Sequence, residues 1–130
     1  MTKLTENEIA RIVVDASYQV HQTLGPGLLE SVYEVIVAHE LRKRGLIIER
    51  QVPVTIVWDN IQFEEGFRAD LLVDQKVIVE VKSKEQVHPV DKKQVLTHLR
   101  LTNKRLGLLI NFGEELIKDG ISRIVNGLKE

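Results

Sequence analysis

Two apolar runs around a short polar break constrain this chain more than any other stretch. They are Arg68-Ala69-Asp70-Leu71-Leu72-Val73 and Val77-Ile78-Val79-Glu80-Val81-Lys82, separated by Asp74-Gln75-Lys76. Apolar, largely β-branched runs about such a break read as a β-hairpin. If all three polar residues form the loop, Val73 faces Val77 and Asp70 lies opposite Glu80. Lys82 then shares the face of Glu80, because side chains alternate along a strand. A two-residue loop, Gln75-Lys76, instead sets Asp70 opposite Val81 and sends the acids to opposite faces. The sequence has no Asn-Gly or Asp-Gly here to choose between the registers, so a shared acidic site requires an odd-length loop or a bulge. Like charges directly opposed across paired strands are destabilising. A divalent cation with Lys82 beside it offsets that repulsion.

In the odd-loop register Leu72 and Ile78 lie on the acidic face, and Leu71, Val73, Val79 and Val81 on the other. Strands apolar on both faces are central ones, so Asp70 and Glu80 sit beside a core and need partners. On spacing alone, a hairpin with its charges on a solvated face is the commoner explanation.

The flanking segments supply helices and further strands. Thr5-Glu6-Asn7-Glu8 has the form of a capping box, followed by Ile9, Ile12/Val13, Ala16 and Val20 at helical spacing. Gly25-Pro26-Gly27 ends this helix. A second helix is expected from Leu28 to Arg44, with Val32, Val35/Ile36 and Leu41 inward and Gly45 as its stop. Leu46-Ile47-Ile48 and Val52–Trp58 read as extended, Pro53 marking an edge strand or bulge. Asp59-Asn60 is a turn leading into a strand with Ile61 and Phe63. Ser83–His88 is a loop, Pro89 suits the first turn of a third helix running from Val90 to about Thr102, and Leu106–Phe112 is a strand buried on both faces. Ile117, Ile121, Ile124/Val125 and Leu128 suggest a terminal helix, with Asp119-Gly120 as an interruption. The strand–helix–strand crossover makes the sheet mixed.

At 130 residues, 43% hydrophobic and 28% charged, the chain is expected to form one globular domain spanning 1–130. A net charge of −1 provides no global field for polyanions, and the absence of cysteine excludes disulfides and thiolate metal sites. With no apolar signal core at the N-terminus and no run of membrane-spanning length, the expectation is a cytoplasmic location and no membrane contact.

The pair Asp70 and Glu80 suits a hard cation such as Mg²⁺, which takes carboxylate, water and phosphate oxygens. Lys82 could then orient a water or stabilise developing negative charge. Glu30 is either a dipole-stabilising acid in a helix's first turn or a further carboxylate aimed at the same metal. Tyr33 is core or a hydroxyl partner to Glu30. Gln94 and His98, four apart, share a helix face that is either solvated or turned toward the site. His21, His39 and His88 have no metal-ligand spacing and read as surface or packing residues. The basic clusters are scattered, and aromatic residues make up only 5% of the chain, so single-strand stacking platforms are not expected.

Taken together, these residues resemble the GxxExxY family, a branch of the PD-(D/E)XK nuclease superfamily. The naming motif stands as Gly27-Leu28-Leu29-Glu30-Ser31-Val32-Tyr33. Phe67–Asp74, Val77–Lys82 and Leu108-Leu109-Ile110-Asn111-Phe112 extend the resemblance over nearly the whole chain. It implies a restriction-endonuclease-like α/β fold, a central mixed β-sheet flanked by helices (α+β in its mixed sheet). It further implies Mg²⁺ or Mn²⁺ at Asp70 and Glu80, with Glu30 and Val81 in the metal-site set, and Lys82 assisting the attacking water. Gln94 resembles the glutamine of a Gln-x-x-x-Tyr motif whose tyrosine is His98 here, and Ala69-Asp70 stands for Pro-Asp. The activity implied is metal-dependent phosphodiester hydrolysis of DNA or RNA. The alternative is a nucleic-acid-binding or assembly module that keeps the fold without turnover. A second copy, needed by many compact nucleases to grip a duplex, makes a homodimer a further expectation.

Overall fold

The computed structural model of the protein describes residues 3–129. Its first helix, α1 (Glu6–Leu24), opens on a reciprocal cap. The Glu8 amide donates to the Thr5 hydroxyl and the Thr5 amide to the Glu8 carboxylate at 2.9 Å, satisfying two donors that a helix start leaves unpaired. Gly25, with φ of 70°, ends it. There follow α2 (Glu30–Lys43), β1 (Ile48–Trp58), β2 (Ile61–Val73), β3 (Val77–Lys82), α3 (Pro89–Thr102), β4 (Leu106–Asn111), a 3-10 turn (Ile117–Gly120) and β5 (Ile121–Val125).

The strands form one 5-stranded sheet in the order β1-β2-β3-β4-β5. All neighbours are antiparallel except β3 and β4, which run parallel across the α3 crossover. This is the expected mixed α/β sheet with helices packed on it. Pro53 lies in the edge strand β1, where a missing N–H costs least. Every residue of β4 is buried, as its unbroken apolar run requires.

Two cores sandwich the sheet. On one face α1 and α2 press Ile9, Val13, Tyr33, Val37 and Leu41 onto Leu71, Val73, Val79, Val81 and Ile110. On the other, α3 lays Val95 and Leu99 over Ala69, Leu72, Ile78 and Leu109. The stacked rings of Tyr33 and Phe112, 4.5 Å between centroids, join α2 to the end of β4.

Two expectations fail. In α2 the inward face is Tyr33, Glu34, Val37, Ala38 and Leu41, whereas Val32 and Val35 are exposed. The helix starts two residues later than expected, at Glu30, and its Tyr33 rather than Val32 anchors it in the core. The terminal segment is no helix either. Gly120 closes the 3-10 turn against the Asn111 carbonyl, where a Cβ would collide, and residues 121–125 then pair antiparallel with β4. Ile117, Ile121 and Ile124 stand at helical spacing, but pairing with the free edge of β4 makes the segment a strand and sends Ile121 and Ile124 to opposite faces of the sheet.

Removing the Phe112 ring should leave a cavity beneath α2. Phe112→Ala is expected to lower stability by about 3–5 kcal/mol, measured by urea unfolding. A loss below about 1 kcal/mol would contradict this packing.

Candidate functional site

The register question is answered by the turn. Val73 pairs with Val77, Leu72 with Ile78 and Leu71 with Val79, so Asp74-Gln75-Lys76 is the odd-length loop. Asp74 and Gln75 both have positive φ, 49° and 60°, and the Lys76 amide donates to the Val73 carbonyl at 2.9 Å. Buried Asp74 holds this shape without a glycine. Its Oδ1 accepts the Ile47 amide at 2.7 Å, and its own amide donates to the Ile47 carbonyl at 2.8 Å.

Beyond Leu71 and Val79 the two strands part, and Asp70 fills the gap. Its Oδ2 accepts the Val81 amide at 2.9 Å, taking the place of a backbone partner, and its carboxyl lies beside that of Glu80, close enough for the Glu80 charge to act on it. At the same level β1 and β2 exchange faces. Ile48 and Leu71 belong to the α1/α2 core, yet Val52 and Ala69 pack on the α3 side. The switch falls at Gln51, whose φ is 52°, opposite Asp70. Asp70 therefore lies at the boundary between layers and reaches both sides of the sheet.

On the α3 side, Glu80 is buried and its Oε1 lies 3.2 Å from His98 Nδ1. The His98 ring stacks on Phe67 at 3.8 Å. On the other side, Gln51 Nε2 donates to Glu34 at 2.7 Å and reaches Asp70 Oδ1 at 3.5 Å, while Arg50 pairs with Glu34 at 3.0 Å. Glu30, Glu34, Gln51 and Asp70, with Leu29 and Ser31, line an open pocket of about 340 Å³.

Glu30 enters this pocket because of the turn that precedes it. Tyr33 is fully buried, and its hydroxyl donates to the Gly25 carbonyl at 2.5 Å and accepts the Leu28 amide at 3.2 Å. Gly27 supplies a φ of 111° that L side chains rarely adopt. Tyr33 is thus core and turn anchor, and the structure records no bond from it to Glu30. The Glu30 carboxylate lies near the Ser83 backbone and within electrostatic reach of Lys82 and Asp70. Beyond β3, Asn111 fixes the loop by accepting the Lys84 and Gly113 amides at 3.0 and 3.1 Å and donating to the Lys84 carbonyl at 2.9 Å. Gly113 is obligatory there, since a Cβ would strike the Lys84 backbone.

The structure therefore brings Asp70, Glu80, Lys82 and Glu30 to the ends of β2 and β3. Val81 contributes its amide to Asp70, while its side chain belongs to the α1/α2 core. Gln94 is exposed on α3, whereas His98, one turn on, contacts Glu80. His21 is a buried packing residue bonded to the Glu114 carbonyl at 2.8 Å, and His39 and His88 are exposed. Glu34, Arg50, Gln51 and Asn111 escaped sequence reasoning. The spacing Glu30–Glu34, one helical turn, was the available signal for the first.

Burial pushes the Asp70 carboxyl up to about 6, with the Glu80 charge adding to the rise and the Val81 amide opposing it. Burial likewise raises Glu30, against Lys82 and with Asp70. Among the described residues no group of three His, Asp or Glu side chains forms a ready metal cage. The paired carboxyls Asp70 and Glu80 still suit a hard cation, because burial and the Glu80 charge together raise Asp70 beyond what Lys82 offsets, and a cation between the two acids would counter both.

Among the described residues no helix is long and apolar enough to cross a membrane. The family model of the PD-(D/E)XK nuclease superfamily matches residues 7–124. No curated protein and no solved structure gives a significant match.

Because the folded chain holds the Asp70 proton more tightly than the unfolded one, stability falls as pH rises from 3.8 to about 6. In metal-free buffer above pH 7, Asp70→Asn should stabilise by on the order of 1 kcal/mol, discounted for the solvent that reaches this carboxyl. Below the unfolded value of 3.8 the gain should vanish. Thermal melts of both proteins across this range check it, and a destabilised variant at high pH would contradict it.

Proposed function

The chain belongs to the PD-(D/E)XK nuclease superfamily, and from that premise we propose that it is a divalent-metal-dependent phosphodiesterase acting on nucleic acid. The observation that carries this reading is the convergence of Asp70 and Glu80 across parting strands, with Lys82 on the same strand as Glu80. Within the superfamily, the Gly27–Glu30–Tyr33 spacing supports placement in the GxxExxY branch.

In this reading Asp70 and Glu80 hold Mg²⁺ or Mn²⁺, with Glu30 completing the negative wall of the pocket and the Val81 backbone lying alongside. When bound, such an ion lowers the pKa of water and offsets charge on a phosphoryl group. Lys82 positions the attacking water between Glu30 and the acids. It also presents an ammonium to charge that develops on the phosphate. Gln94, exposed one turn before His98, orients water or phosphate at the edge of the site. His98 fixes the carboxylate of Glu80 by its 3.2 Å contact and stands where related motifs carry tyrosine. Glu34 and Gln51 hold Asp70 in its place at the layer boundary.

DNA and RNA are both admissible substrates, since phosphate contacts do not distinguish them. Purified protein incubated with Mn²⁺ and mixed DNA and RNA substrates should cleave at least one. Lys82→Ala and Asp70→Ala should each lower the rate by about 10²-fold or more, the scale of losing one electrostatic stabiliser. Cleavage that survives both substitutions, or no cleavage by the wild-type chain, would contradict the proposal.

A further inference from the structure

The outer half of the β1–β2 hairpin is built like part of a core that has no second layer. Register shifts between Val54 and Ile56, where one residue of β1 opposes Glu64, Glu65 and Gly66 of β2. Ile56 folds over Gly66, at which a Cβ would collide with it. Past this bulge, Ile56 pairs with Phe63 and Trp58 with Ile61, placing all four side chains on one face. That face continues the α3 side of the sheet, where Val52 and Phe67 already pack. Yet Trp58 is 71% exposed, Ile61 56% and Phe63 52%. Alternation of apolar and polar residues along a strand marks a face that packs on something, and a two-stranded ribbon is marginal alone.

Charge narrows the occupant. From Gln51 to Phe67 the chain has Asp59, Glu64 and Glu65 and no Lys, Arg or His. Glu65 is paired with Arg68 beside it, so among the described residues Asp59 and Glu64 remain as unpaired acids and the arm has no cation of its own to hold a phosphate backbone, which favours a protein occupant. The complementary surface is on this same chain, on the same side of the sheet. The outer face of α3 presents Lys93 and Arg100, seven apart, among exposed Val90, Thr97 and Leu101. Among the described residues neither Lys93 nor Arg100 has a salt-bridge partner. Two copies that exchange arm and complement about a two-fold axis would make an isologous contact.

We propose that two copies of this chain dimerise by laying the Ile56–Trp58–Ile61–Phe63 face of each arm on the α3 outer face of the other, with Asp59 and Glu64 opposite Lys93 and Arg100. The exposed aromatic and aliphatic side chains of one arm offer roughly 400 Å² of apolar surface. With comparable area on α3 and two such contacts, the interface reaches about 1,600 Å², the standard size for a specific complex. This inference does not depend on the hydrolase reading.

Trp58 is the one tryptophan of the chain, so its emission reports the contact directly. Sedimentation velocity of the full chain in metal-free buffer should show a dimer that dissociates on dilution, with Trp58 emission moving to longer wavelength in step. Trp58→Ser should leave the melting temperature of the monomer unchanged and weaken dimerisation by at least about tenfold. Lys93→Glu with Arg100→Glu, and separately Asp59→Lys with Glu64→Lys, should each weaken it, and the four changes together should restore it. A wild-type monomer up to about 100 µM, a dimer in which Trp58 emission stays that of exposed indole, or failure of the combined reversal to restore pairing would overturn the proposal. So would a shift of Trp58 emission on adding a single-stranded oligonucleotide to a monomeric chain, which would make the arm a nucleic-acid contact.

Discussion

Asp74 and Ile47 exchange two hydrogen bonds, and the register of the central strands depends on them. The pair clamps the turn after β2 to the start of β1 and holds Asp74 and Gln75 in left-handed backbone geometry. A slip of one residue would send the apolar set of β3 to the wrong layer and would also separate Asp70 from Glu80. Register, core and acidic site are therefore fixed by the same short turn. Ile47 itself is exposed, so its contribution is its backbone, which no side-chain pattern reports.

From that register follows a local conflict that the rest of the fold tolerates. Two carboxyls are driven together beside apolar residues, and the nearby groups only partly relieve them. The Val81 amide, Gln51 and His98 each take one oxygen, and Lys82 contributes charge from the strand end. A chain selected for stability alone would place neutral residues at these positions. Strain of this kind at one site, within a framework whose other choices agree with one another, is where function is expected. The opening turn of α2 makes the same point on the backbone. Gly27 accepts an unusual φ, and Tyr33 secures the turn from the core, so that Glu30 faces the pocket.

Much of this was legible in the residues. The capping box at Thr5, the break at Gly25-Pro26-Gly27, the doubly buried strand at Leu106 and the parallel crossover through α3 all follow from local chemistry that tertiary contacts leave alone. The opposed acids followed conditionally, since the sequence stated the geometry required but not the loop that supplies it. What escaped depended on contacts distant in sequence. The inward face of α2 hinges on Tyr33 meeting Phe112, and the fate of the last segment on an open edge of β4. The face switch at Gln51 breaks the very alternation by which strands are read, so Glu34 and Gln51 could not be placed beside Asp70 from spacing. The hairpin arm is the reverse case, for its extended strands are plain in the sequence, yet Trp58, Ile61 and Phe63 remain exposed in the single chain.

The most direct test of this account is the titration of the Asp70 side-chain carboxyl, followed by its carbon NMR resonance with and without Mg²⁺. Two acids converged by the turn should give a midpoint near 6 in metal-free protein. Saturating Mg²⁺ should move that midpoint sharply downward as the cation replaces the proton. A midpoint at the ordinary aspartate value, unmoved by Mg²⁺, would mean that Asp70 and Glu80 do not share a site.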